Sequence, residues 1–320
     1  MTKSIAVMLA AAAFAGAAHA QQWPTQPVKL MVNVAPGGVA DRTARLLATR
    51  LQEALGQPML VENRPGGDGY VGFQALAQLP ADGYTLLFTP GSNVMIAPHV
   101  GKRPNLDPLK TLVPIAPAVT ITMHLEVHPS VPAKSVAEFV SYTRANPGRV
   151  SYGTAGTGTA LHIAAEVFKL ETGADITHVP YKGAGPAIKD LLGGHVQAVF
   201  DPGIALEHVR AGRLRMLAVC AEQRRPDFPD VPTLAEAGVR GVDGGPYFGF
   251  YAPAGTPGEV VQRMNREVTQ LLKDPALRKQ LESTGLQIAA PMTPEAFAGY
   301  VRAESARYAK LLPQLGIRGE

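Results

Sequence analysis

The sequence is poor in cysteine and in aromatic residues, and it carries no dense block of charge. Among 320 residues there is one cysteine and one tryptophan, and aromatic residues make up 6%. A single cysteine excludes a disulfide within the chain, and the apolar surroundings of Cys220 in the sequence predict a buried, inert thiol. The formal charge of +4 is spread out, whereas nucleic-acid binding needs a dense basic face. We therefore predict no nucleic-acid partner.

The chain also lacks an apolar run long enough to favour a membrane span. Its N-terminal apolar stretch covers only residues 5–18, follows Lys3 and ends at Ala18-His19-Ala20. A short positive segment, an apolar core and a small-x-small site are the features of a cleavable secretory signal peptide. We predict cleavage after Ala20 and a periplasmic mature protein. Residues 1–20 contain one base and no acid, so the mature chain carries a formal charge of +3.

Motifs of several common enzyme classes are missing as well. There is no G-x-S-x-G turn and no S-x-x-K motif. The spacing Gly153-x-x-Gly156-x-Gly158 is the reverse of the dinucleotide-binding fingerprint, and no acidic residue follows at the position that ribose recognition needs. We predict a non-catalytic protein with no cofactor and no catalytic residues.

Short apolar, β-branched runs alternate with helical patterns along most of the chain. Strands alternating with amphipathic helices predict parallel βαβ units. The predicted strands are Val28–Val34, Met59–Glu62, Thr85–Thr89, Val150–Gly153, Ile176–Val179, Ala198–Asp201 and Leu214–Val219. The predicted helices are 40–55, 160–170, 187–192, 259–272, 275–284 and 294–312.

Two segments without helical pattern separate these units. Residues 112–128 form an extended stretch, and residues 226–253 are rich in proline and glycine. Each could carry the chain between two lobes, so the sequence predicts an α/β fold with two crossover segments around a cleft. The predicted boundaries are a signal peptide at 1–20, a discontinuous first lobe at 21–122 and 240–320, and a second lobe at 123–239.

Two glycine-rich turns each end a predicted strand and begin a helix. The first covers residues 32–41 and the second residues 150–159. A helix N-terminus presents unpaired N–H groups and a partial positive charge, which favours a carboxylate or phosphate. Ordinary strand-to-helix turns would show the same pattern, but the presence of both turns in one exported chain favours anion binding.

Two groups of residues could form a metal site or a catalytic pair. His124, Glu126 and His128 alternate and would share one face of a strand, as in a metal site or a catalytic dyad. A solvent-facing strand edge is the interpretation that we favour, and we predict no metal site. His162 and Glu166 are four residues apart on a helix, where a surface pair or a histidine that orients the preceding loop is favoured over a ligand pair.

Asp201 ends a predicted strand and is followed by Pro202-Gly203. Strand ends face the ligand cleft in open α/β sheets, whereas aspartate before Pro-Gly is also ordinary turn chemistry. The sequence leaves both interpretations open.

Seven segments, in order, give the mature chain a family resemblance. They are APGGVAD (35–41), GQPMLVENRPG (56–66), DGYTLL (82–87), SYGTAG (151–156), HVPYKG (178–183), PTLAEAG (232–238) and APAGTP (252–257). The chain resembles the extracytoplasmic solute receptors of tripartite tricarboxylate transporters, also called the Bug or TctC family. The resemblance implies a type II periplasmic binding-protein fold whose two lobes close on a small carboxylate.

The resemblance also implies a set of ligand-binding residues. One wall of the cleft would contain Gly37, Gly38, Asp41, Thr89 and Ser92. The opposite wall would contain Thr154, Gly156, Thr157, Thr159, Tyr181, Lys182, Gly183 and Asp201. A carboxylate at Asp41 would repel an anion, so we expect it to cap its helix or to pair with Arg45.

The function that the resemblance implies is capture of a small organic carboxylate and its delivery to the membrane subunits of the transporter by a monomeric receptor. Two alternatives from other classes are a secreted α/β hydrolase or transferase that uses Asp201 and a histidine, and a ligand sensor for a signalling partner. The sequence leaves the identity of the carboxylate open.

Overall fold

The computed structural model describes residues 23–100, 107–221, 223–242 and 245–317. The predicted signal peptide and its cleavage site lie outside these residues. The described residues form eleven β-strands in two sheets. The strands are β1 (Val28–Val32), β2 (Met59–Asn63), β3 (Thr85–Thr89), β4 (Leu112–Ile121), β5 (Met123–Val127), β6 (Ser151–Thr154), β7 (Thr177–Pro180), β8 (Ala198–Asp201), β9 (Arg215–Cys220), β10 (Phe248–Pro253) and β11 (Leu286–Ile288).

The same residues form twelve α-helices and one 3₁₀ turn at Gly67–Gly69. The helices are α1 (Val39–Leu55), α2 (Tyr70–Ala77), α3 (Gly91–Met95), α4 (Ala97–Val100), α5 (Pro108–Thr111), α6 (Val136–Ala145), α7 (Ala160–Thr172), α8 (Ala184–Leu192), α9 (Leu206–Arg210), α10 (Gly258–Leu271), α11 (Pro275–Glu282) and α12 (Pro294–Gln314). Within the described parts of the chain, none of the helices has the length and apolarity to cross a membrane.

The first sheet has the strand order β11-β4-β10-β3-β1-β2, and the second has the order β7-β6-β8-β5-β9. In the first sheet β1 pairs in parallel with β2 and β3, while β10 runs antiparallel to β3 and β4. In the second sheet β6 pairs in parallel with β7 and β8, while β5 runs antiparallel to β8 and β9. Each sheet therefore has one edge at which the carboxyl ends of three parallel strands meet.

The chain crosses between the sheets twice. The buried Thr122 alone separates β4 of the first sheet from β5 of the second, and the chain returns between β9 and β10. One apolar core cluster includes Ile121 and Met123 on either side of the first crossing, so the packed interior continues from sheet to sheet. The predicted two-lobe α/β fold is confirmed, whereas the exact lobe boundaries stay a prediction.

Most predicted elements are present within one or two residues, because their patterns are local. The apolar stripe of α1 is buried at helical spacing, and Gly56 ends this helix with a left-handed φ of 67°. The segment 112–128, which we expected to be extended, consists of β4 and β5. Eight elements of the described residues were not predicted: the helices α2, α3, α4, α5, α6 and α9 and the strands β10 and β11. β10 lies within the Pro/Gly-rich segment 226–253, where composition suggested only a connection.

Candidate ligand-binding site

The loop that follows β1 is held by a buried carboxylate. Asp41, which is 2% exposed, accepts a hydrogen bond at Oδ2 from the Gly37 N–H at 2.8 Å. Its Oδ1 lies 3.0 Å from Nε of Arg45 and accepts from Nδ2 of Asn63 at 2.9 Å. Asn63 also donates to the carbonyl of Val34 at 3.1 Å. The expected pairing of Asp41 with Arg45 is confirmed, and the carboxylate is occupied by partners within its own lobe.

These contacts set the charge state of Asp41. Burial by itself raises the pKa of this carboxyl, but the hydrogen bonds from Arg45, Gly37 and Asn63 outweigh burial and lower the pKa below its ordinary value. Asp41 is therefore ionised at neutral pH and uses its charge to hold the loop before α1.

The loop that follows β6 is held by hydroxyl groups. The Gly156 N–H donates to the Thr154 hydroxyl at 3.2 Å, and the Thr159 hydroxyl donates to the Gly156 carbonyl at 2.8 Å. Thr159 is also the N-cap of α7, because its hydroxyl accepts from the backbone N–H of His162. Thr157 is exposed, and its hydroxyl has no partner among the described residues. Thr154 and Thr159 thus shape the loop, and Thr157 is free to meet a ligand.

Two stacked histidines contact this loop through hydrogen bonds to Gly158 and Thr154. His162 Nδ1 accepts a hydrogen bond from the Gly158 N–H at 3.1 Å, and the rings of His162 and His178 stack with centroids 3.9 Å apart. His178 Nε2 lies 2.7 Å from the Thr154 hydroxyl. The hypothesis that His162 orients the loop is confirmed. The alternative of a surface pair with Glu166 is wrong, since His162 is 6% exposed.

Both histidines are neutral at physiological pH. Burial lowers the pKa of His162 to about 4, and burial also lowers the pKa of His178. Glu166 accepts hydrogen bonds from the Tyr152 hydroxyl and from Nζ of Lys169. Its charge is therefore balanced by Lys169 rather than by a protonated His162.

The segment after β7 lies directly beside the second loop. The Tyr181 N–H donates to the Thr154 carbonyl at 3.1 Å, and the Gly183 N–H donates to the Ala155 carbonyl at 3.2 Å. The Tyr181 hydroxyl donates to Asp190 at 2.7 Å, and burial together with this contact raises the pKa of Tyr181 to about 12. Lys182 is exposed and has no ion-pair partner among the described residues.

The predicted residues of β3 and α3 belong to the first lobe. Thr89 is fully buried and donates to the Pro90 carbonyl at 3.3 Å, so its hydroxyl is used internally. Ser92 is half-buried, and its hydroxyl has no partner among the described residues. Asn93 donates to Oδ1 of Asn33 at 3.5 Å. Ser92 is thus the predicted side chain on this wall with an unused polar group.

Loops that follow strands of the second sheet contact the first lobe at Gly158 and at Gly203. A Cβ on Gly158 would lie 2.9 Å from the side chain of Val100, at the end of α4. A Cβ on Gly203, which follows β8, would lie 3.1 Å from the carbonyl of Thr284, just before β11. Loops at the carboxyl ends of the second sheet therefore lie against the first lobe.

Asp201 lies beneath this edge rather than on its surface. It is fully buried, and its Oδ2 accepts from the N–H groups of Gly203 at 2.8 Å and Ala205 at 2.9 Å, so the turn interpretation is confirmed. It lies directly opposite His124 in the pairing of β5 with β8. The solvent-facing strand edge that we predicted for His124 and Glu126 is wrong, because both are fully buried on a central strand.

Burial changes the ionisation of these three side chains. Burial and the nearby Arg225 charge lower the pKa of His124 to about 3. Burial and the charge of Asp201 raise the pKa of Glu126 well above its ordinary value, and burial raises the pKa of Asp201 to about 6. Asp201, which we predicted as a ligand-binding residue, is thus fully buried, and its Oδ2 holds the turn that follows β8.

Two cavities lie near the crossings. One of about 710 Å³ is lined by residues around Thr120, Cys220, Arg240 and Tyr300. The other, of about 460 Å³, lies between α1, the segment 202–210 and the residues that precede β11. Neither is lined by residues of the loops 35–38 or 154–159. Cys220 is buried, as predicted.

Sequence reasoning missed Asn63 and His178. Asn63 ends β2 and His178 lies on β7, each beside the strand that precedes one of the loops. Both residues stand within the conspicuous segments 56–66 and 178–183. Their position at or near the end of a neighbouring parallel strand is the signal that could have identified them.

Comparison with known proteins identifies the family. A profile described as "Tripartite tricarboxylate transporter family receptor" matches residues 43–317. The chain is 36% identical to Protein BugT of Bordetella pertussis, with 99% of each chain covered. Its fold is similar to that of R. palustris Rpa4515 with adipate (35% identity, TM-score 0.84, covering 93% of this chain and 100% of that one). It is also similar to MatC from Rhodopseudomonas palustris with bound malate (29% identity, TM-score 0.79, covering 91% and 100%). The chain therefore belongs to the tripartite tricarboxylate transporter receptors of the Bug family, which are solute-binding proteins and not enzymes.

Proposed function

We propose that the protein is a periplasmic receptor that binds a small organic carboxylate and delivers it to the membrane subunits of a tripartite tricarboxylate-type transporter. The observation that carries this proposal is the pair of glycine-rich strand-to-helix loops, one at the carboxyl end of parallel strands in each sheet. Relatives of similar fold were solved with adipate and with malate, which supports a carboxylate as the ligand class.

The anion is held mainly by main-chain amides and hydroxyl groups. The first amides of α1 and α7 have no partner within their helices, and each helix adds a partial positive charge at this end. Thr157 and Ser92 supply hydroxyl groups that no described residue uses. Gly38 and Gly156 let the ligand approach the backbone, while Gly37, Asp41, Thr89, Thr154, Thr159, Tyr181, Gly183 and Asp201 hold the surrounding backbone in place. Lys182 contributes a charge at the rim.

Ligand binding is coupled to closure of the two lobes. A ligand that touches both walls binds the closed form better, so it shifts the population toward that form. The crossing at Thr122 and the second crossing between β9 and β10 are the places at which the chain passes between sheets. The transporter subunits would recognise the closed form.

Thermal unfolding tests the ligand class. Malate, adipate and citrate are added to the mature protein at up to millimolar concentration, with phosphate and glucose as controls. A carboxylate at about 100 times its Kd adds roughly 2.7 kcal/mol, and a chain of this size gains about 2–4 °C per kcal/mol. We expect a rise of several degrees with at least one carboxylate and recovery of that compound unchanged. Stabilisation by phosphate or glucose alone would contradict the proposal.

A pair of substitutions tests how the anion is held. Thr157→Ala removes one hydrogen bond to a charged group, worth about 1.5–3 kcal/mol, so the Kd measured by calorimetry should rise roughly tenfold to hundredfold. The unliganded fold should keep its stability, because Thr157 is exposed and its hydroxyl has no hydrogen-bond partner among the described residues. Lys182→Ala should raise Kd less. Loss of binding in Lys182→Ala with none in Thr157→Ala would show that a salt bridge holds the anion.

A further inference from the structure

A second polar site lies inside the lobe of the second sheet, away from the surface of the glycine-rich loops. His124 and Glu126 on β5 and Asp201 on β8 are all fully buried. One nitrogen or oxygen donor atom from each of the three lies within 4.8 Å of the others. They meet because the antiparallel pairing places His124 directly opposite Asp201, and Glu126 points to the same side of β5 as His124.

The side-chain nitrogen and oxygen atoms of this group lack hydrogen-bond partners, apart from Oδ2 of Asp201. Neither ring nitrogen of His124 has a hydrogen-bond partner, and the same is true of both carboxylate oxygens of Glu126 and of Oδ1 of Asp201. Buried polar atoms are almost always hydrogen-bonded, so five without a partner in one place call for an explanation. Their other strand partners on this face are the apolar residues Val199, Val219 and Met216. The charge of Arg225 also acts on His124.

One oxygen of the Asp201 carboxylate is held by backbone hydrogen bonds, as is common for carboxylates that bind a metal through their other oxygen. Its Oδ2 accepts from the N–H groups of Gly203 and Ala205, which fixes the carboxylate plane and leaves Oδ1 without a hydrogen-bond partner. Metal-binding carboxylates are commonly held in this way by hydrogen bonds to the atom that does not ligate.

We propose that His124, Glu126 and Asp201 together bind one divalent first-row transition-metal ion, of which Zn²⁺ is the best match. One imidazole nitrogen of His124, one oxygen of Asp201 and both oxygens of Glu126, all without hydrogen-bond partners, would supply the four ligands of a zinc site. Calcium takes six to eight oxygen ligands and magnesium retains several waters, and this apolar interior offers neither. Two ionised carboxylates also balance the charge of the ion. The site lies inside one lobe, so the ion would stabilise that lobe, while Oδ2 of Asp201 still holds the turn at Gly203 and Ala205.

The test uses the mature chain, unfolded in guanidinium with a chelator and refolded with Zn²⁺ or with the chelator alone. We expect about one zinc per chain after gel filtration and a Tm about 5 °C or more above that of the metal-free protein. Refolding with Co²⁺ should give the visible absorption of a tetrahedral cobalt centre. No retained metal and an unchanged Tm would overturn the proposal.

Two double variants make the test specific. His124→Val with Glu126→Val places β-branched apolar residues on a central strand, so it should fold, and it should lose the retained zinc and the Tm rise. Without metal, its Tm should equal or exceed that of the metal-free wild type, because the unpaired polar groups are gone. The matched control, His195→Val with Glu171→Val, removes an exposed pair from the same lobe and should retain one zinc. Equal retention by both double variants would show adventitious surface binding and overturn the proposal.

Discussion

The loop before α1 and the loop before α7 both follow a parallel strand and both begin a helix, yet different chemistry holds them. The first loop is held by the ionised carboxylate of Asp41, which also contacts Arg45 and Asn63. The second is tied by threonine hydroxyls and by the neutral His162, which accepts from the loop itself. The same backbone shape is thus supported by charge on one wall and by neutral groups on the other.

This difference predicts how each loop responds to substitution and to acid. Asp41 remains ionised until the pH falls below its ordinary pKa, because its pKa is lowered. The contribution of neutral His162 to the free energy of unfolding begins to fall near pH 6.5, where an unfolded histidine takes up a proton. The wall of the second lobe is therefore the one that acid disturbs first.

The largest expected effect comes from replacing a glycine of the loop before α7 with a β-branched residue. Gly156 has φ +130°, and a Cβ there would lie 3.4 Å from the carbonyl of Tyr181. Gly156→Val forces a side chain into a backbone conformation that it rarely adopts and into the ligand's space, so binding of the best carboxylate should fall more than about a hundredfold. Isothermal calorimetry measures this loss.

Gly38→Val is the matched change in the other loop. Gly38 has φ −72°, and its Cβ would meet only the Ala35 carbonyl at 3.6 Å. Its free energy of unfolding should stay within about 0.5 kcal/mol of the wild type, while Kd rises if the ligand approaches this backbone. Equal loss of stability in both variants would mean that the two loops do not differ in backbone strain.

An intermediate effect is expected from the charged support of the first loop. Asp41→Ala removes hydrogen bonds from Gly37, Arg45 and Asn63, so urea unfolding should show a loss of about 2–3 kcal/mol, allowing for the half-exposed arginine. Glu282→Ala is the control, since its pair with Arg278 is exposed on both sides, and it should change stability by less than about 0.5 kcal/mol. Similar losses in both would contradict a special role for Asp41.

The smallest expected effect on binding concerns His162. His162→Leu removes the acceptor for the Gly158 N–H and should weaken carboxylate binding about fivefold to tenfold, while His162→Asn can keep that hydrogen bond and should bind nearly as well as the wild type. Calorimetry at pH 7.5 compares the three proteins. Equal affinity of His162→Leu and the wild type would show that the loop does not depend on this contact.

The same residue gives the pH dependence. Because the folded pKa of His162 is about 4 and the unfolded value is about 6.5, the unfolded state takes up the proton first as pH falls. Its contribution is present above about pH 6.5 and is lost between pH 6.5 and 4, on the order of 2 kcal/mol by pH 4.5. Urea unfolding at pH 7 and 4.5 should show a smaller drop for His162→Asn than for the wild type. An identical drop would contradict the lowered pKa.

Local patterns determined much of this protein from sequence alone. Apolar periodicity predicted α1, α7, α10 and α12, and glycine after a β-branched run predicted both loops. These features depend on residues within a few positions of each other, so the chain need not be folded to reveal them. The family resemblance followed from the same short segments and was confirmed.

Only the tertiary structure decided which side chains meet. Asn63 holds Asp41, His178 stacks on His162, and Asp201 lies opposite His124, each pair set by strand order and register rather than by spacing along the chain. Sequence placed His124 and Glu126 on one face of a strand but at a solvent-facing edge, because nothing local shows whether a strand is central or peripheral. The neighbours that β5 receives from β8 and β9 are what bury these residues and bring three unpaired side chains together.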